Sequence, residues 1–234
     1  GCKAARSVVS SEGNIFWLDN TLKVRMIMGT KSEIISTPQI EYQISLLGQL
    51  ENAVGFHYYQ KGHGFYQLTV GGTAAEKTFV YDTTTKYWHT RTAGTQNRRH
   101  PAQCYAFFNN KHLVGHYARG QILSLDYTFY TNNEDPFIAI RAAPAIHYDR
   151  KRYFHKQLEL EFESGVGVDA DTDATAILNW TDDGAHTWSS DHIATFGKLG
   201  EYTKRAIWRR RGNSRGRVYW VTFIDPVKRG ILGA

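Results

Sequence analysis

Cysteine is nearly missing from this chain: Cys2 and Cys104 are the only two among 234 residues. Two thiols make neither a disulfide framework nor a four-ligand zinc centre. Proline (5) and methionine (2) are scarce as well. No apolar run approaches the length needed to span a bilayer, and the opening GCKAARSVVS has no apolar signal core. These absences point to a soluble protein made in a reducing compartment, with no membrane partner. Charge of one sign does not dominate either half: the formal net charge is +6, with Lys and Arg slightly in excess on both sides of Pro136. That excludes a basic tail or an acidic arm.

What the chain has in abundance is aromatic residues (14 Tyr, 12 Phe, 6 Trp) and glycine (21). Aromatic and β-branched side chains fit a pleated, half-buried surface, and glycine supplies turns, so the expected class is all-β. Short alternating segments recur in the first half. IFWLD (15–19) and KVRMI (23–27) flank one turn; FYQLTV, TFVYD and YWHTRT form a second set; CYAFFNN, HLVGHY and QILSLDY form a third. Strand ends in WLDN, VYDT and SLDY each carry an aspartate, Asp19, Asp82 and Asp126, placed to accept from amides one or two residues on. Small meanders repeating every 40–50 residues predict propeller blades, so residues 1–135 are expected to be a partial β-propeller. Three partial blades do not close a ring. Upstream sequence or neighbouring subunits are expected to complete it, because the first strand begins almost at residue 1.

One segment departs from this pattern. In ISTPQIEYQISLLGQL, Ser36 or Thr37 precedes Pro38, and Ile40, Ile44 and Leu47 share a helical face ahead of Gly48. This predicts a short amphipathic helix over about 38–47. Beyond TNNEDPF the texture changes to KQLELEF, ATAILNW, HTWSS, RAIWRR and RVYWVTFI. Residues 136–234 are expected to form a separate C-terminal β-sandwich-like domain, the boundary falling between 131 and 152.

The chemical candidates are few. TDDGAHTW resembles the Asp box of sialidases, with Thr181, Asp183, Thr187 and Trp188 in place and Ala185 where glycine is usual. The same residues make a self-contained turn: Asp183 bonds turn amides, Thr187 ties the loop, and Trp188 and Trp180 pack beside it. A sialidase also needs an acid/base carboxylate, an activated tyrosine, several arginines and usually several boxes, and only one box is present. A structural turn is therefore expected here, with no catalytic residue; the alternative is a carbohydrate-binding or glycoside-cleaving propeller. Asp169, Asp171 and Asp173 alternate as in a calcium loop, but Ala174 and Trp180 stand where glycine and glutamate are needed. His112 and His116 in HLVGH lack the glutamate of a zinc protease, and HYDRKRYFH, with His147 and His155, reads as a charged connector. GKLGEY and GVGV are not phosphate loops. No metal site and no cofactor are expected. The densest charge is RAIWRRRGNSRGRVYW, carrying Arg205, Arg209, Arg210, Arg211, Arg215 and Arg217 around an expected hairpin turn at 212–216. Such a cluster suits subunit contacts with acidic groups or weak contact with DNA phosphates, and a nucleic-acid-binding module is a third reading.

Longer phrases carry a resemblance. IISTPQIEYQI, AVGFHYYQKGHGFYQLTV, KTFVYDTTTKYWHTR, CYAFFNNKHLVGHYARGQILSLD, YFHKQLELEFESGVG, LNWTDDGAHTWSS and the stretch from LGEYTKRAIWRRR to the C-terminus are similar to packaged-DNA stabilisation proteins of short-tailed bacteriophages. These are the tail hub or nozzle subunits below the portal. The resemblance, from about residue 13 onward, implies a β-propeller followed by a C-terminal β domain, assembled as a ring of six in the virion. It also implies manufacture in the bacterial host cytoplasm, portal or adaptor proteins and tail fibre, spike or needle proteins as partners, and weak backbone contact with packaged DNA. Family members are roughly twice this length, so the chain corresponds to their C-terminal half.

Overall fold

In the computed structural model, the described residues are 1–72, 75–94, 98–132, 135–136, 138–149, 151–163, 165, 169 and 171–233. GVGV, apart from its first glycine, and parts of TNNEDPF, VDADTDATA and HYDRKRYFH lie outside them. The chain is all-β with one α-helix among the described residues, and it divides into two compact units, Gly1–Phe129 and Tyr130–Ala234.

Unit one holds three antiparallel meanders, each built from sequence neighbours. The first contains Val9–Ser11, Asn14–Leu18, Val24–Met28 and Lys31–Ile34. The second contains Val54–Gln60, His63–Gly72, Ala75–Asp82, Trp88–Ala93 and Arg98–Arg99. The third contains Ala102–Phe108, Lys111–His116 and Ile122–Leu125. Both faces of the second meander are buried, because alternate residues of its central strands point to opposite sides. Tyr66, Leu68, Val70, Phe79 and Tyr81 pack with Phe16, Leu18 and Val24 of the first meander and with the helix. Phe65 and Val80, one residue out of step, pack instead with Phe56, Tyr58, Ala102 and Val114 toward the third.

The three aspartates ending strands do the same local job. Asp19, Asp82 and Asp126 each accept, through Oδ1, the amide two residues on, at 2.7 Å from Thr21, 2.9 Å from Thr84 and 2.9 Å from Thr128. The threonine hydroxyls of Thr21 and Thr128 donate to the same oxygens. Asp19 does most: it also accepts from Lys23 N at 3.0 Å and pairs with Arg25 at 2.5 Å. Burial pushes the Asp19 carboxyl up, but hydrogen bonds from Arg25, Thr21 and Lys23 outweigh it and hold the pKa at about 2. The Asn109-Asn110 turn takes positive φ at both residues, 48° and 58°, the geometry a two-residue hairpin loop requires.

The helix spans Pro38–Ser45, two residues shorter than its periodicity implies. Thr37 is the N-cap, accepting from Ile40 N at 3.4 Å, while Ser36 donates to Glu41 at 2.8 Å. Ile40, Ile44 and Leu47 are all buried against the first core, although Leu47 lies past the last helical turn.

Unit two is a two-sheet sandwich. One sheet runs Ala139–Ala142, Gly216–Phe223, Ala174–Thr181, His192–Gly197, with Ile146–His147 also pairing onto Gly216–Phe223. The other runs Ala206–Arg209, Gln157–Phe162, Ile231–Gly233. Leu160, Phe162, Ala206 and Trp208 from the second sheet meet Ala176, Leu178, Phe196, Val221 and Phe223 from the first. Two expectations fail here. HTWSS is a loop, and the strand opposite Ala174–Thr181 is His192–Gly197. Ala206–Arg209 and Gly216–Phe223 are not a hairpin: they lie in different sheets, and between them Asn213–Ser214 pairs with Tyr153–Phe154. The glycines that mimic a hairpin turn mark a crossing from one layer to the other.

Candidate functional site: the Asp-box loop and its arginines

The loop after Ala174–Thr181 closes on itself. Asp183 Oδ1 accepts from the amides of His186 (3.0 Å) and Thr187 (2.9 Å) and from the Thr181 hydroxyl (2.7 Å). Its Oδ2 accepts from the Thr187 amide at 3.0 Å and the Thr187 hydroxyl at 2.6 Å. Thr181 Oγ1 in turn accepts from Ala185 N at 3.0 Å. The Thr187 side chain, its amide and Thr181 hold the Asp183 carboxyl well below the usual carboxylate range. Both oxygens are thus committed to the loop's own donors. Ala185, where an Asp box has glycine, sits at φ 75°, a conformation that costs a residue with a Cβ about 1 kcal/mol. Trp188 is 41% exposed and meets Trp220 edge-on at 5.3 Å between centroids. The depression beside it, about 300 Å³, is lined by Trp180, Asp182 and Trp188 among others.

The six arginines do not form one patch. Alternation along Gly216–Phe223 turns Arg217 toward the core side with Tyr219, Val221 and Phe223, and Arg217 is only 3% exposed. Its guanidinium grips both oxygens of Asp182, at 2.6 and 2.7 Å, and donates to Arg211 O at 2.6 Å. It also covers the Trp180 ring at 4.9 Å. Arg211 also lies over the Trp180 ring, at 5.7 Å, and contacts His192 Nδ1 at 2.8 Å. His192 is itself stacked on Trp180 at 4.6 Å. Arg205 bonds Glu159 at 2.6 Å and lies 3.8 Å from Glu161, and Arg209 bonds Gln157 at 3.4 Å. Arg210 and Arg215 remain exposed. Sequence reading missed Asp182 and His192 as partners, although the alternation of RVYWVTF already placed Arg217 on the inward face.

Several of the remaining candidates are occupied locally. Asp169 accepts from the amides of Asp171 (2.8 Å) and Thr172 (2.6 Å), and Asp173 pairs with Lys204 at 2.9 Å. His112 Nδ1 meets the Tyr105 hydroxyl at 2.9 Å, and His116 Nδ1 accepts from Ala118 N at 3.0 Å. His155 is buried between the hydroxyls of Ser214 (2.8 Å) and Tyr219 (2.7 Å). Among the described residues, no group of three or more His, Cys, Asp or Glu is placed to hold a metal ion.

Residues 139–234, nearly all of the sandwich unit, match the family model described as "Bacteriophage P22 Gp10, beta-sandwich". No curated protein matches the chain. A solved structure described as "Glycoside hydrolase" is similar over 92% of this chain and 68% of that one, at 10% identity and a TM-score of 0.21, too low to bear on fold or activity. The sandwich match agrees with the phrases shared with short-tailed phage tail proteins: residues 139–234 form a P22 Gp10-type beta-sandwich domain, which supports a phage tail structural protein.

Proposed function

We propose that this chain is a subunit of the tail hub or nozzle: a ring, of six copies, below the portal that retains packaged DNA and forms part of the ejection channel. The match of residues 139–234 to the P22 Gp10 beta-sandwich carries the reading. Unit one supports it, since three meanders stacked face to face are the packing that propeller blades use. The first meander leaves Ile15 and Ile34 exposed, and the third leaves Phe108 and Ile122 exposed. Further blades, from neighbouring sequence or subunits, would cover such faces. In this reading residues 1–135 are the propeller part and 136–234 the sandwich that contacts portal or adaptor proteins and tail fibre, spike or needle proteins. Electron microscopy of the parent particle tests it. A ring of this fold beneath the portal is expected; a stable monomer absent from virions would end the proposal.

A further inference from the structure

A second surface of the sandwich unit, outside the Asp-box loop, has the makeup of a binding site. Arg152, Phe154 and Lys156 alternate along one extended segment, so their side chains emerge on the same side. Phe154 is 74% exposed although it lies in a paired strand. The segment runs beside the crossing that the arginine-rich stretch makes between sheets: Phe154 is opposite Asn213, and Arg210 N donates to Lys156 O at 2.8 Å. Phe154, Lys156 and Arg210 thereby line one cleft of about 510 Å³, together with His155 and Gly212. None of its lining residues is acidic. The side chains of Lys156 and Arg210 have no hydrogen-bond or ion-pair partner among the described residues, and Arg152 has only Asn213 Oδ1 at 3.4 Å. Four other cations of the unit are answered by acids: Arg205 by Glu159, Lys204 by Asp173, Lys228 by Glu163, Arg217 by Asp182.

We infer that Arg152, Phe154, Lys156 and Arg210 form a contact for the DNA backbone, a proposal that rests on the reading of the chain as a tail protein through which DNA passes. Unanswered cations attract phosphates and release their counterions. An exposed aromatic ring set between them is what sequence-tolerant strand grooves use against bases and sugars. Four side chains give a weak contact, as a channel that must also release its DNA requires. Arg152 and Phe154 fall within HYDRKRYFH, Lys156 just after it and Arg210 in the arginine-rich stretch, which sequence spacing alone presents as two unrelated charged segments.

The test measures binding of a 30-base-pair duplex and of an oligothymidine of equal length by fluorescence anisotropy across a salt series. Polyglutamate is the competitor, and oligomeric mass is recorded on the same samples. The chain is expected to bind duplex with a dissociation constant of about 10 μM at physiological salt. Replacing Arg152, Lys156 and Arg210 by glutamine should weaken binding at least tenfold and flatten the salt slope by about 0.9 for each phosphate left unneutralised. Phe154→Ala should weaken oligothymidine about tenfold, and Arg205→Gln, in the acidic ladder, should change neither. Unchanged DNA binding in the triple variant overturns the inference. So does a triple variant that loses polyglutamate but keeps DNA, since that would mark an acidic protein as the partner. A parent chain that binds DNA as described but never assembles would overturn the hub reading and leave this contact standing.

Discussion

Single residues hold the corners of both units. Asp19 gathers the Thr21 and Lys23 amides, the Thr21 hydroxyl and Arg25 around one buried carboxylate. Asp19→Ala leaves those donors without an acceptor and is expected to cost about 3 kcal/mol, read as a lower midpoint in urea denaturation. Ala185 shows the opposite case. At φ 75° it lacks only the freedom of the glycine that an Asp box has there, so Ala185→Gly should stabilise the sandwich by about 1 kcal/mol in the same measurement. A loop that tolerates the change without loss, with Asp183 wholly engaged by Thr181, His186 and Thr187, is acting as a corner.

At the scale of elements, layers are joined by a few capped and stapled segments. Thr37→Ala removes the one side-chain cap of the helix and should cost about 1 kcal/mol, whereas Ile44→Ala opens the core beneath it and should cost about 3 kcal/mol; thermal denaturation of the two variants checks the ratio. This is also the scale at which the sequence was legible, and where it ceased to be. Alternation in KVRMI and RVYWVTFI located strands because each has one face in a core and period two leaves a visible trace. The D-x-T corners were visible because their bonds are local. Pairing of 206–209 with 157–160, and of 213–214 with 153–154, left no trace, since partners far apart in sequence are chosen by layer and not by turn chemistry. For the same reason six neighbouring arginines looked like one patch. Arg217 belongs to Asp182 and Arg205 to Glu159, and only the fold separates them.

For the whole molecule, acid should act through several groups in one direction. Burial, reinforced by Arg91 and Arg99, lowers His100 from 6.5 to about 3. The unfolded chain therefore takes up its proton first, and stability present above pH 6.5 is lost as pH falls toward 3. Asp19, Asp82, Asp126 and Asp183 are also depressed, so their contributions disappear below the ordinary carboxylate range. Melting temperature is expected to decline from about pH 6 downward and more steeply below about pH 4, and His100→Asn should flatten the upper part of that decline. A chain with the proposed hub function should assemble with copies of itself outside the virion as well. The native mass of the purified protein in solution, by mass spectrometry or light scattering, addresses this most directly. A closed ring of six chains is the predicted result; a lone chain at every concentration would contradict it.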